Sequence, residues 1–235
     1  PAPVPPAPSL PAAYPASGLK AWYAPGAFDL VAGTWPDASG NGYTATLTGS
    51  GLASLTVAGH GAAVAVPALS GTTASVVSFG SIVDAEFTVC SITRYTSSDS
   101  NNQGRILQGD PTWAHGHHGS KAGVLYYHPY DITQWENNVD PITNWVVMCG
   151  TNSDLDLALV NGVDVWEEKN YPHNGDGNVV VYINTPSAEV SDFAILELVA
   201  WDRGLTSAEM HAASNFMLQR LSTGVVPSPP LPPPP

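Results

Sequence analysis

The run Phe193-Ala194-Ile195-Leu196-Glu197-Leu198-Val199-Ala200-Trp201, followed directly by Asp202-Arg203-Gly204-Leu205-Thr206-Ser207-Ala208-Glu209, decides the fold class. Glu197 is its only charge up to Trp201, so this stretch has no polar face and fits a central strand covered on both sides. Thr206 with Glu209 three positions later forms a capping box, and Leu205 can staple to Met210. The apolar stripe Met210, Ala213, Met217 and Leu221 then repeats at helical spacing until Gly224 and Pro227 stop it. One C-terminal helix therefore follows the most apolar strand.

Outward from this run the chain reads as short β segments rich in branched and aromatic residues with turn signals between most of them. These are Leu19–Tyr23, Ala62–Val66, Ser75–Phe79, Phe87–Arg94, Gly123–His128, Trp145–Thr151, Leu155–Val160 and Val179–Ile183. Leu155, Leu157 and Leu159 alternate with Asp156 and Ala158, and Asn161-Gly162 then supplies the positive φ angles of a tight turn before Val163 and Val165. The class is all-β, in one main domain at 18–222.

The two ends differ sharply in composition. Seven prolines fall between Pro1 and Pro15, and seven more between Pro227 and Pro235. Lacking amide donors, with φ fixed near −65°, such tracts extend as polyproline II and enter neither helix interiors nor central strands. Residues 1–17 and 223–235 are accordingly read as tails, either plain spacers or modified rods. Ser228, Pro229, Pro230, Pro232, Pro233, Pro234 and Pro235, with Pro5 and Pro6, are of the kind that prolyl hydroxylation and O-glycosylation act on. No Asn-x-Ser/Thr sequon occurs.

Among 235 residues, 20 Asp plus Glu stand against 7 Lys plus Arg, a net charge of −13. Nucleic-acid binding, which needs cations along phosphates, is excluded as an expectation, and so is an anionic membrane surface. No apolar stretch approaches the roughly 20 residues needed to cross a bilayer. The chain opens on Pro1 without a basic start and apolar run, so a signal peptide is expected to have been removed or never to have belonged to it. Cys90 and Cys149 each lie in an apolar run. They either form a disulfide closing a loop of about 60 residues, which would contribute about 4 kcal/mol, or remain as buried thiols. The extracellular character of the rest favours the bridge.

Gly18-Leu19-Lys20-Ala21-Trp22-Tyr23, then Thr34-Trp35-Pro36-Asp37-Ala38-Ser39-Gly40-Asn41-Gly42, resemble the opening of concanavalin A-like, laminin-G-like jelly-roll domains. The stretch Phe193–Glu209 resembles the last strand and capped helix of that family, and Asn161-Gly162 its hairpin. The likeness spans most of 18–222. It implies two antiparallel sheets packed face to face, with Glu197 as a structural glutamate paired with Arg203. Together with the proline-rich tails, the chain is similar to extracellular-matrix and cell-surface fibril glycoproteins of green algae.

Trp113-Ala114-His115-Gly116-His117-His118 is the most conspicuous cluster for chemistry. His-x-His-His could ligate zinc or copper, but no further correctly spaced ligand is evident, and a glycine-rich surface loop is the plainer reading. Asn174-Gly175-Asp176-Gly177-Asn178 has the oxygens for calcium, which laminin-G-like relatives often bind, but lacks a bidentate glutamate, so it reads as a solvated turn. No metal and no cofactor are expected. Trp113, His117, Tyr126, Tyr127, Tyr130 and Trp135 form an aromatic-rich stretch whose rings suit a sugar face or a polyproline helix, unless they are core. Catalysis is expected to be absent: laminarinase-like relatives carry Glu-x-Asp-x-Glu on one strand face, whereas Glu167 and Glu168 are adjacent and point oppositely. The resulting expectation is a secreted structural glycoprotein that associates with copies of itself. The Pro227–Pro235 or Pro1–Pro15 rod of one copy would lie along the next, over Trp113 and the tyrosines. The alternative is a carbohydrate-binding module recognising extracellular glycans.

Overall fold

The computed structural model describes residues 10–110, 112–167, 175–185 and 189–224. The candidate modification positions Ser228, Pro229, Pro230, Pro232 to Pro235, Pro5 and Pro6 lie outside the described residues, as do Pro227, Glu168 and Asn174. The described chain forms β1 (Leu19–Tyr23), β2 (Thr34–Trp35), β3 (Ala45–Gly49), β4 (Ala53–Gly59), β5 (Ala62–Gly71), β6 (Ser75–Val83), β7 (Thr88–Tyr95) and β8 (Leu107–Asp110). Then follow β9 (Trp113–His118), β10 (Lys121–Tyr127), β11 (Tyr130–Asp131), β12 (Val146–Thr151), β13 (Ala158–Val160), β14 (Val163–Asp164), β15 (Val179–Ile183), β16 (Phe193–Trp201) and α1 (Ser207–Thr223).

All strand pairs are antiparallel, in two eight-stranded sheets that make a jelly-roll β-sandwich. The helix-side sheet runs β14-β13-β12-β7-β16-β5-β4, and β1 shares the β5 edge of β16. The outer sheet runs β11-β10-β9-β8-β15-β6-β3-β2. One core fills the space between the sheets. A second lies between the helix-side sheet and α1, where Met210, Ala213, Met217 and Leu221 are buried as their spacing predicts. Every residue of β7, β12 and β16 is buried because this sheet is covered on both faces.

Strand β16 carries one irregularity that organises the helix side. Its pairing with β7 slips between Ile195 and Glu197, a β-bulge. Phe193, Ile195, Leu198 and Ala200 enter the inter-sheet core, whereas Ala194, Leu196, Val199 and Trp201 face the helix. Alternation thus skips one position, and the skip turns Glu197 toward α1, since strict alternation would drive its carboxylate between the sheets. There it ion-pairs with the buried Arg220 guanidinium, whose Nη2 donates to Oε1 at 2.9 Å, and Trp22 Nε1 donates to the same oxygen at 2.8 Å. The expected Glu197–Arg203 pair is corrected. Arg203 lies past the end of the strand and pairs with Glu209 at 2.8 Å, reinforcing the capping box around Thr206.

Cys90 and Cys149 are directly opposed on β7 and β12 and form a disulfide on the helix face. Gly224 caps α1 in the left-handed conformation at φ 68°. Asp37 ties the loop after β2, accepting from Trp22 N at 3.0 Å, Ser39 N at 2.9 Å and Tyr43 N at 3.1 Å. Residues 10–17, read as part of a tail, pack on the domain. The Tyr14 ring is buried edge-on against Trp22, Trp201 and Phe216, and Trp201 Nε1 donates to Pro15 O at 2.8 Å.

Removing one member of the Glu197–Arg220 pair strands a buried charge. Arg220→Met is expected to lower stability by about 3 to 5 kcal/mol, and the pair Glu197→Gln with Arg220→Met to recover most of it. Urea unfolding monitored by tryptophan fluorescence measures both, and a single variant as stable as the parent would contradict the assignment.

Candidate functional site

Strand β9 is where the sequence reading fails. The segment read as a glycine-rich surface loop is a strand, and its larger rings alternate inward: Trp113, His115 and His117 are each at most 1% exposed. Trp113, His115 and Tyr127 stack with interplanar angles of 8° to 11°. His115 Nδ1 bonds the Tyr127 hydroxyl at 2.8 Å, and His117 Nδ1 bonds Thr93 Oγ1 at 3.2 Å across the sandwich. Burial lowers both imidazole pKa values to about 3. Trp113, His117 and Tyr127 therefore present no ring to a ligand, and Tyr130 packs along the margin of the inter-sheet core. Among the described residues no group of three or more His, Cys, Asp or Glu is placed to hold a metal ion. Asp176, from the stretch weighed for calcium, instead pairs with His128 at 2.7 Å.

Tyr126 and Trp135 remain partly exposed on the outward side of the outer sheet, although Ala114, Val124 and Gln108 beside them are at most 2% exposed. Among the described residues no α-helix lies over the outer sheet. Across it the register aligns Tyr126 with Ala114, Ala114 with Gln108, Gln108 with Tyr182, Tyr182 with Ser78, and Ser78 with Thr46. At about 4.8 Å per strand, the Tyr126 and Tyr182 positions stand roughly 14 Å apart. A cleft of about 540 Å³ opens on this face, lined by Arg105, Gln108, Asp110, Thr112, Tyr182 and Glu189 among others. Gly109 supplies only backbone there, since a Cβ would come 2.0 Å from Val179 Cγ1. Glu189 links the cleft to the exposed aromatic: its Oε2 lies 2.5 Å from His118 Nε2 and 3.7 Å from Arg105 Nε. The Trp135 indole, 38% exposed, meets the His118 ring edge-on at 4.7 Å. Partial burial lowers the His118 pKa, with Glu189 pulling the other way.

The cleft thus joins a guanidinium, two carboxylates, an amide, two hydroxyls of the Thr112 and Thr185 kind, and flanking aromatic rings. Such a set donates and accepts at once, as ligands dense in hydroxyl groups require. Sequence reasoning missed Arg105, Gln108, Asp110, Tyr182 and Glu189, because β8 is four residues long and no linear motif joins it to β15. The readable signal was Tyr182, the single polar side chain within the run Val179–Ile183.

The sequence matches no family model and no curated protein. In structure the chain is similar to domain 4 of AbnA, an extracellular GH43 arabinanase of Geobacillus stearothermophilus, solved in complex with arabinotriose. The TM-score is 0.59 at 16% identity, covering 84% of this chain and 98% of that one. It is also similar to Trypanosoma rangeli sialidase, with TM-score 0.58, 14% identity and 90% of this chain covered, but it spans only 36% of that enzyme. The binding domain of Paraclostridial Mosquitocidal Protein 1 matches at TM-score 0.57 and 13% identity, over 85% of this chain and 52% of that one. These likenesses establish the β-sandwich fold. They also overturn the expectation that the chain is not an enzyme. Sialidases and an arabinanase contain this fold, and here Asp110 at the end of β8 and Glu189 in the segment between β15 and β16 line one cleft, a pairing invisible to a search for carboxylates on a single strand.

The buried imidazoles make stability depend on pH. With folded values near 3 against the ordinary 6.5, their contribution is complete above pH 6.5 and is lost as pH falls toward 3. The urea midpoint is expected to drop from pH 7 to 5, above the range of ordinary carboxylates, and His117→Gln to flatten that slope. An identical slope in the variant would contradict the assignment.

Proposed function

We propose that this domain binds a carbohydrate on the outer sheet, in the cleft between Tyr182 and the Trp135–His118–Glu189–Arg105 chain. The observation that carries the reading is the union of a polar, hydrogen-bonding cleft with partly exposed aromatic rings on the sheet face away from α1. A pyranose or furanose ring has an apolar face for an aromatic side chain and hydroxyls for Arg105, Asp110 and Gln108. That domain 4 of the arabinanase was solved with arabinotriose supports the same use of a related sandwich.

The disulfide, and the absence among the described residues of a helix long and apolar enough to cross a membrane, fit a secreted setting in which the domain works on extracellular glycans. The proline-rich segments would serve as stalks, and assembly with other copies would run through them. One observation favours a second reading, hydrolysis of the bound glycan: Asp110 and Glu189 share the cleft, as an acid and base pair must.

Isothermal titration against arabinan-, xylan-, mannan- and glucan-derived oligosaccharides tests the binding. Tyr182→Ala and Trp135→Ala are each expected to weaken it about tenfold, the equivalent of ~1.4 kcal/mol, with unchanged circular dichroism. Affinity untouched by both substitutions would refute the site. Release of shorter sugars from the same incubations, abolished by Glu189→Gln, would establish the hydrolytic reading.

A further inference from the structure

At the edge where β10 and β13 come together, a larger cleft, about 850 Å³, lies between the C-terminal half of α1 and the segment 138–145. Its lining is dominated by side-chain amides, Asn138, Asn144, Asn161, Asn215 and Gln219, with Leu218 and Leu221 supplying apolar surface. Among the described residues that line it, Asp140 is the only ionisable side chain. Several of the amides are fixed at one end by the fold. Asn161 Oδ1 accepts from Val147 N at 2.8 Å, and Asn138 Nδ2 donates to Gly123 O at 2.7 Å. Each is thereby held in one orientation, with its second polar atom making no hydrogen bond among the described residues. Asn215 and Gln219 stand one helical turn apart on α1, exposed, and their side chains have no hydrogen-bond partner among the described residues.

A primary amide donates and accepts through adjacent atoms, which is the match for neighbouring sugar hydroxyls. Arrayed with almost no charge, it selects neutral ligands, in contrast to the outer-sheet cleft with its Arg105, Asp110 and Glu189. A polyproline segment, such as the chain's own C-terminal stretch, offers carbonyl acceptors only, and the buried Trp145 ring, 2% exposed, gives it no aromatic face to lie on.

We propose that this cleft is a second saccharide site, for a neutral oligosaccharide, and that the domain is consequently bivalent. The two clefts share no lining residue, so one domain could hold two glycan chains and gain avidity on a polymer. The inference builds on the carbohydrate reading above but uses different residues, so the two can fail separately.

Native affinity gels containing soluble arabinan, xylan, mannan or glucan provide the test, with three proteins run beside the parent. The Tyr182→Ala/Trp135→Ala variant isolates the amide cleft. The Asn215→Ala/Gln219→Ala variant isolates the outer-sheet cleft and keeps α1 intact, since alanine is the best helix former. The third protein combines all four. Retardation of the first variant by at least one neutral polymer, reduced at least tenfold in the fourfold variant, is expected. The parent, unlike either double variant, should also raise the turbidity of that polymer. If the Tyr182/Trp135 variant runs freely in every gel, the amide cleft is not a saccharide site, while loss of retention by neither double variant alone but by the fourfold protein sustains it. Retention lost in the Tyr182/Trp135 variant yet kept in the Asn215/Gln219 variant sinks bivalency and leaves the first site standing; the reverse sinks the first site alone. Displacement by a synthetic peptide of residues 225–235, abolished by Asn215→Ala/Gln219→Ala, would assign the cleft to the proline-rich segment and overturn the proposal.

Discussion

The buried contact of Glu197 with Arg220 and Trp22 is the constraint on which the rest of the structure depends. A carboxylate in the most apolar strand is tolerable only if something turns it away from the inter-sheet core and meets it with a cation. The bulge in β16 does the first, and α1 does the second. Burial still pushes the Glu197 carboxyl above its ordinary range, while Arg220 and the Trp22 N–H pull it back. Once the helix is locked there, one sheet is covered on both faces and the other on one. The candidate cleft lies on the sheet face away from that helix.

Much of this architecture is legible in the sequence because its physics is local. Phe193–Trp201 and Leu19–Tyr23 match β16 and β1 at both ends, and the Thr206–Glu209 box and Gly224 cap bound the helix. The Asn161-Gly162 turn is present, with φ of 50° and 80°. The strands that escaped notice, among them β2, β3, β4, β8 and β11, are short or built of small, exposed residues such as Ala53, Ser54 and Thr56, which carry little hydrophobic signal. β9 escaped for another reason. Histidine is counted as polar by habit, yet a neutral imidazole beside Trp113 and Tyr127 behaves as a flat core ring. Counted that way, Trp113, His115 and His117 show the two-residue period of a strand.

The candidate site was legible only in part, because it is assembled by register. Trp135 and Tyr126 come from the aromatic stretch that composition singles out, but Arg105, Gln108, Tyr182 and Glu189 meet them only when β8, β9 and β15 pair. The Glu197 partner was misassigned for a similar reason. Arg203 is six residues away in sequence, whereas Arg220 is brought over the strand by packing of the whole helix. Short-range spacing identifies caps and turns, and tertiary docking chooses between candidate ion pairs.

The central claim is that the helix-free face of the outer sheet is a carbohydrate-binding surface. Amide chemical-shift mapping with a bound oligosaccharide tests it most directly. The account requires the first and largest perturbations at Arg105, Gln108, Asp110, Tyr182 and Glu189 and at the Trp135 indole. Shifts confined instead to the loops around His128 and Asp176, with β8 and β15 silent at saturation, would contradict it.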